Sequence, residues 1–187
     1  MFVNMWHDFD KKTISESKFY GVIEIPKGSK NKYELDKKLG MLRLDRVLYT
    51  STHYPANYGF IPCTLAQDED PLDILVLCQE PIDPGIVVEC YPIGVLKMVD
   101  SNAIDEKIIA IPFGDPSYIG YQDISDLPKH IFDEIKHFFE VYKYLENKIT
   151  VVEQILGRSE AEKSIRKSIE YYGEVYGTES SKKYQAY

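Results

Sequence analysis

Alternating and continuous apolar runs occupy the first two thirds of the chain and predict a region rich in β-strands. Strands are expected where such runs end at proline, glycine or a charged turn. The clearest runs cover residues 19–26, 32–36, 41–48, 74–78, 86–99 and 105–111. The fifth run is long and contains Pro92 and Gly94, so we expect the strand to bend there.

Helical spacing of apolar residues begins only after Asp126. The pattern predicts one helix over about residues 127–146 and a second over about 159–173, which starts with a capping box and ends near Gly173. The residues expected to face the core are Ile131, Ile135, Phe138, Phe139, Tyr142 and Leu145 on the first helix and Ala161, Ile165, Ile169 and Tyr172 on the second. Residues 177–187 are polar, and we expect a frayed tail there.

Strands followed by segregated helices predict an α+β fold that is predominantly β. Because glycine and proline interrupt the strands, we favour a five-stranded OB-like β-barrel over about residues 18–115, with two helices packed outside. The chain has 187 residues. That length supports one domain with a proper core and is short for two, so we expect residues 1–187 to form a single domain.

Composition and charge narrow the possible functions. The net charge of −8 argues against nucleic acid as the main partner, because binding to a phosphate backbone needs a basic surface. The sequence has neither an apolar stretch of 18 residues nor a basic-then-apolar start, so we expect no membrane partner and no signal peptide. Three cysteines without a CxxC pair predict reduced thiols and a cytoplasmic location.

The segment Asp68-Glu69-Asp70-Pro71-Leu72-Asp73 places three aspartates directly before the apolar run at 74–78. Two carboxylates about 5 Å apart repel by roughly 3 kcal/mol at an effective dielectric constant near 20, so protonation or a cation must neutralise the cluster. Oxygen ligands without histidine or thiolate favour Mg²⁺, Ca²⁺ or Mn²⁺ over zinc. The alternative is a solvated acidic turn.

Several other kinds of site are excluded or disfavoured by spacing. An EF-hand loop fails because Leu72, Asp73 and Gln79 stand where a polar ligand, the glycine and the bidentate glutamate belong. His130 and His137 are seven residues apart and lack the H-E-x-x-H pattern of a zinc site. The sequence also contains no glycine-rich phosphate loop, no dinucleotide fingerprint and no G-x-S-x-G motif.

Charged residues lie together on two further predicted strands. Lys32 and Glu34 share one face of their strand, and Asp105 and Lys107 share one face of theirs. The usual interpretation of opposite charges side by side is a solvated strand face. A tyrosine-rich connection over residues 49–62 is long enough to be functional as well.

Read in order, short motifs extend from residue 22 to residue 143. They are the strand at 22–26, K-Y-E at 32–34, D-R at 45–46, Y-P-A-N-Y-G at 54–59, D-x-D-P-x-D at 68–73, the acidic cluster at 94–107 and H-F-F-E-V-Y-K at 137–143. In this order they closely resemble the family I soluble inorganic pyrophosphatases of the bacterial type. A chance match to one motif is easy, whereas a match to all of them in sequence is not.

The resemblance implies an OB-type barrel that hydrolyses pyrophosphate to two phosphates with several Mg²⁺ ions. Mn²⁺ is a possible substitute, and Ca²⁺ is expected to inhibit. The residues implied to hold metal are Asp68, Asp70, Asp73, Asp100 and Asp105. Those implied to be catalytic are Asp70, Glu24, Lys32, Arg46 and Tyr58, and those implied to bind substrate are Lys32, Glu34, Arg46, Lys107, Tyr142 and Lys143.

Within this set, Asp70 is assigned as the general base that takes a proton from a metal-activated water, because two other aspartates flank it. Ser101 departs from the family pattern, in which glutamate often follows the aspartate at this point, and we expect it to alter hydration near the second acidic cluster. The resemblance also suggests a homo-oligomer, with a homohexamer favoured.

Three alternatives remain at this point. An OB-like barrel can bind oligonucleotides or oligosaccharides, although this would require aromatic residues in a basic groove. A catalytically inactive relative would be expected to lack Asp70, Lys32 or Arg46, and all three are present. A hydrolase of another phosphoanhydride, such as a nucleoside triphosphate, is the third possibility.

Overall fold

The computed structural model describes residues 4–100 and 103–183. Its strands are β1 (Phe19–Ile25), β2 (Asn31–Asp36), β3 (Met41–Val47), β4 (Asn57–Phe60), β5 (Asp73–Val76), β6 (Val87–Asp100), β7 (Ala103–Pro112) and β8 (Thr150–Gly157), and its helices are α1 (Lys129–Val141) and α2 (Arg158–Lys183). Short 3₁₀ turns lie at Lys11–Thr13, Ile124–Asp126 and Tyr144–Glu146. Ser101 and Asn102, where we predicted a turn and an altered acidic cluster, lie outside the described residues.

Five strands form a closed ring. Around it the order is β1, β4, β5, β7 and β6, and β6 returns to β1 through the pairing of Phe19 with Cys90. All neighbours are antiparallel except β5 and β7, which run parallel. The predicted five-stranded, predominantly β architecture with two helices is therefore confirmed. The register of β6 against β7 shifts between Pro92 and Gly94, at the expected bend.

The strands of the ring are not all those that the pattern favoured. β2 and β3 form a separate two-stranded hairpin, and β8 adds to the outer side of β6. β4 lies inside the segment that we had interpreted as a connection. Its four residues carry too little local pattern to be recognised, and pairing with β1 on one side and β5 on the other defines it as a strand.

Both predicted helices are present with different ends. α1 stops at Val141, and Leu145 lies beyond it with 59% of its surface exposed, so its assignment to the core was wrong. α2 does not end at Gly173 but continues to Lys183, which replaces the first part of the predicted frayed tail. Among the described residues, no helix is both long enough and apolar enough to cross a bilayer.

The apolar side chains form two large clusters on either side of the sheet. In the first, Phe132, Ile135 and Phe138 of α1 pack against residues such as Leu75 and Ile109. In the second, α2 contributes its predicted core residues Ala161 and Ile165, which pack with the other face of the strands. The three cysteines are free thiols, two of them buried, as the sequence predicted.

Gly59 marks the closest approach between β1 and β4. A Cβ atom there would lie 1.9 Å from the Val22 carbonyl oxygen and 2.9 Å from Ile23 Cα, both backbone atoms that cannot turn away. We predict that Gly59→Ala lowers the free energy of unfolding by about 3 kcal/mol, the upper range for overpacking. Urea denaturation measures this. Gly114→Ala is the control, because nothing lies within 4 Å of its added Cβ, and equal stability of the two variants would contradict the prediction.

Candidate active site

A cavity of about 640 Å³ lies between the β2–β3 hairpin, the aspartate segment and the C-terminal end of α1. It brings together residues that are far apart in the chain. The predicted site residues that line it are Glu24, Lys32, Glu34, Tyr58, Asp68, Asp70, Asp73, Asp100, Asp105, Lys107, Tyr142 and Lys143. Arg46 is the predicted site residue that does not line it.

Arg46 lies behind the cavity wall. Its Nε donates to Glu146 Oε1 at 2.9 Å and its Nη1 to Asp45 Oδ2 at 2.5 Å, and Asp45 in turn lies 3.4 Å from Lys32 Nζ. Arg46 Nη2 is buried and has no hydrogen-bond partner within the described part of the chain. The structure therefore places Arg46 two contacts away from the cavity: Arg46 contacts Asp45, and Asp45 contacts the cavity-lining Lys32.

The ammonium group of Lys107 lies at the centre of the site. Only 2% of its side chain is exposed, and its Nζ contacts Asp73 Oδ2 at 2.6 Å, both Asp105 oxygens at 2.9 Å and the Tyr58 hydroxyl at 3.1 Å. The parallel register of β5 and β7 pairs Asp73 directly with Lys107, which creates the contact. The Tyr58 hydroxyl donates to the same Asp73 oxygen.

Burial and the neighbouring charges shift the pKa of the Lys107 ammonium group in opposite directions. Burial disfavours the ammonium form, but the charges of Asp105 and Asp73 outweigh it and raise the pKa of Lys107 well above its ordinary value. Burial also raises the pKa of Asp73, to about 6, with Lys107 opposing the shift. At neutral pH the site therefore holds a charged lysine between two carboxylates.

Glu24 occupies a β-bulge in β1. Ile23 pairs with Gly59 and Ile25 with Tyr58, so Glu24 is the extra residue between them. Its carboxylate accepts a hydrogen bond from the Leu35 N–H at 2.8 Å, which connects β1 to the hairpin. Burial, supported by the nearby charge of Asp73, raises the pKa of Glu24 to about 8.

The remaining carboxylates lie nearer to the cavity mouth. Asp100 contacts the ammonium group of Lys143, Asp70 contacts Lys37 Nζ at 2.5 Å, and Asp68 accepts the backbone N–H of Asp70 at 3.1 Å. Burial raises the pKa of Asp68. Among the described residues, no three acidic, histidine or cysteine side chains converge as a ready ligand set for a metal ion. Instead, lysine ammonium groups form ion pairs with Asp70, Asp73, Asp100 and Asp105.

This donor set fits hard divalent cations. The cavity offers carboxylate oxygens, and neither histidine nor cysteine is among its lining residues, a composition that suits Mg²⁺ or Mn²⁺ and disfavours zinc. Replacement of an ammonium group by a divalent ion at the same carboxylates would conserve the sign of the neutralising charge.

Sequence reasoning missed three basic residues of the cavity wall. Lys37, Lys38 and Arg43 all lie on the β2–β3 hairpin. Arg43 is 3.7 Å from Glu34 and 3.6 Å from Asp36. The alternating charges after Lys32 could have indicated these residues, but the same alternation is equally typical of a solvated strand face. Only the fold of the hairpin over the aspartate segment distinguishes the two cases.

The fold and the cavity together define a small, predominantly β protein built on a closed ring of five strands, with a cavity lined by both acidic and basic side chains. Comparison with known proteins agrees with this description. The family model described as inorganic pyrophosphatase matches residues 21–173. The chain belongs to this family, as a family I soluble inorganic pyrophosphatase, and its enzyme class is inorganic diphosphatase.

Individual relatives and solved structures are similar over most of their length. Soluble inorganic pyrophosphatase 2 of Chlamydomonas reinhardtii is 50% identical over 171 residues, which is 91% of this chain and 89% of the relative. The inorganic pyrophosphatase structure from Helicobacter pylori is 48% identical, with a TM-score of 0.82 over 84% of this chain and 95% of that one. The structure from Thermus thermophilus is 45% identical, with a TM-score of 0.81 over 83% and 91%.

The buried Glu24 predicts a specific pH dependence of stability in the metal-free protein. The folded-state pKa of about 8 exceeds the ordinary 4.5, so the folded state binds more protons in this window and stability falls as pH rises from 4.5 to 8. Glu24→Gln removes this charge and should be more stable than wild type at pH 8, by more than about 1 kcal/mol, but not at pH 5. Urea unfolding at both pH values, with divalent ions removed, tests this. The same difference in stability between Glu24→Gln and wild type at pH 5 and at pH 8 would contradict the assigned pKa.

Proposed function

We propose that this chain hydrolyses pyrophosphate to two phosphates in a Mg²⁺-dependent reaction, with Asp70 as the general base. The observation that carries the proposal is the convergence of six aspartates and five lysines on one cavity. Pyrophosphate is a compact polyanion and needs both metal ions and ammonium groups to enter an acidic site. Family membership supports the same substrate.

The residues proposed to hold Mg²⁺ are Asp68, Asp70, Asp73, Asp100 and Asp105. Bound Mg²⁺ supplies the positive charge that lets carboxylates and phosphates share the cavity, and it makes a coordinated water more acidic. The lysines now paired with Asp73, Asp100 and Asp105 hold these carboxylates in place.

Asp70 is the aspartate best placed to accept a proton. Asp73 is held by Tyr58 and Lys107 inside the barrel, whereas 54% of the Asp70 side chain is exposed. An exposed carboxylate at the mouth can meet a water, take its proton and release it to solvent. The neighbouring aspartates keep this proton acceptor within the proposed metal site.

The cationic and phenolic groups are proposed to bind the phosphates. Lys32, Lys143 and Tyr142 line the cavity together with the aspartate segment, and Lys107 is a buried lining residue. Charge-assisted hydrogen bonds from these groups stabilise the charge that develops on the departing phosphate. Arg46, which does not line the cavity, would act through Asp45 and Lys32 unless the hairpin shifts when substrate binds.

The cytoplasmic location and the oligomeric state of the protein are also proposals. Free thiols at Cys63, Cys78 and Cys90 are consistent with a cytoplasmic protein. Exposed apolar residues such as Ile149 and Val151 are consistent with contacts between copies, and a homohexamer is the favoured state. Light scattering of the purified protein decides the number of subunits.

We predict that Asp70→Asn lowers turnover on pyrophosphate by about 10² or more while leaving the fold intact, because the amide cannot accept the proton. Phosphate release at mildly alkaline pH with saturating Mg²⁺ measures this. Asp133→Asn is the matched control, since Asp133 lies on the outer face of α1 and pairs there with Lys129. Near wild-type turnover of Asp70→Asn would show that another group is the base.

We predict that pyrophosphate hydrolysis requires Mg²⁺, and that replacing it by Ca²⁺ lowers turnover by at least about 10-fold. Ca²⁺ accepts more ligands in a looser geometry and so misplaces the reacting groups. Mn²⁺ should retain part of the activity. ATP is the comparison substrate in the same assay, because a nucleoside triphosphate was the remaining alternative. Equal release from ATP, or full activity without divalent ions, would contradict the proposal.

A further inference from the structure

Lys37 lies at the tip of the β2–β3 hairpin, in a turn with a defined geometry. The Asp36 carboxylate accepts the N–H groups of Lys38 and Leu39, each at 3.0 Å, and Gly40 closes the turn with a φ of +67°. These contacts fix the backbone from which the Lys37 side chain extends across the cavity mouth. The side chain therefore starts from an ordered turn.

The ammonium group of Lys37 makes two contacts with the aspartate segment. Its Nζ lies 2.5 Å from Asp70 Oδ1 and donates to the Glu69 carbonyl oxygen at 2.8 Å. Glu69 has a φ of +66°, a left-handed conformation that is unfavourable for a residue with a side chain. Lys37 thus contacts both the strained peptide and the carboxylate proposed as the general base.

Trp6 supports Lys37 from the other side. Lys37 Nζ lies 5.7 Å from the centre of the Trp6 ring, within the range of a cation–π contact. Trp6 is 2% exposed, and its Nε1 donates to the Thr64 carbonyl oxygen at 2.8 Å. The Thr64 hydroxyl oxygen accepts the Leu72 N–H at 2.9 Å, so Thr64 also anchors the C-terminal part of the aspartate segment.

We infer that Lys37 is a positioning residue for the pyrophosphatase reaction, and that Trp6 holds it against the aspartate segment. It acts through Asp70, so the inference rests on the function proposed above. Lys37 and Asp70 are both about half exposed, and exposed ion pairs contribute little to global stability. Removal of the ammonium group should therefore change the geometry of Asp70 without unfolding the protein.

The kinetic test uses Lys37→Met. We expect kcat to fall by roughly 10-fold while KM changes by less than about twofold, because a misplaced base slows the chemical step more than substrate binding. Lys37→Arg should restore most of kcat, since it keeps a cation at this position. Lys129→Met is the matched control: it breaks an exposed lysine–aspartate pair, with Asp133 on α1, and neither of these residues lines the cavity. Wild-type kcat in a folded Lys37→Met variant would overturn the inference.

A spectroscopic test reports on the same contacts without turnover. Trp6 is the single tryptophan of the chain, so its emission reports the environment next to Lys37. Binding of Mg²⁺ at Asp70 places a like charge beside the Lys37 ammonium group and must move or repel it. Titration of the metal-free protein with Mg²⁺ alone should give a saturable change in emission, and Lys37→Met should lose it while calorimetry still detects Mg²⁺ binding.

The two proposals fail in different ways. Mg²⁺ binding with an undiminished emission change in Lys37→Met would overturn the role of Lys37 alone. No Mg²⁺ binding by the wild-type protein in calorimetry would overturn the proposed function, and the inference with it.

Discussion

The buried contact of one ammonium group with two carboxylates is the constraint on which the site depends. An ammonium group taken out of water alone costs several kcal/mol, so Lys107 can be charged inside the barrel only with Asp73 and Asp105 beside it. These residues come from β5 and β7, the single parallel pair in the described ring. The electrostatics of the site therefore depend on the register of this parallel pair.

The other charged side chains of the site, around Lys107, differ in how far they are exposed to solvent. Glu24 is buried at a bulge, Asp100 and Lys143 are half-buried, and Lys37 and Asp70 reach solvent at the mouth. The buried groups are held by strand register, whereas the exposed ones depend on the hairpin. Such a gradient suits a reaction in which a polyanion must be bound tightly at one end and a proton must leave at the other.

The β2–β3 hairpin is the part of the cavity wall that lies outside the main sheet. It is a separate two-stranded sheet, joined to the barrel through Glu24, which accepts the Leu35 N–H, and through Lys37. Arg46 also lies on it and faces Asp45 and Glu146 instead of the cavity. A small shift of the hairpin would change the access of Arg46 and the contacts of Lys37 together.

Much of the candidate site could be predicted because its chemistry is local in sequence. Asp68, Asp70 and Asp73 lie within one short segment, and their mutual repulsion favours protonation or a nearby cation whatever the fold. The continuous apolar runs along β1, β6 and β7 and the helical stripe on α2 likewise reflect burial that each segment specifies by itself.

The sequence by itself thus determined the predominantly β architecture, the two helices and the set of residues that carry charge. Only the tertiary structure decided that the four residues of β4 form a strand, that β8 exists, and that Lys37 reaches Asp70 while Arg46 does not line the cavity. The physical reason is that these features depend on pairing and contact between distant segments, for which a single stretch of sequence contains no periodic signal.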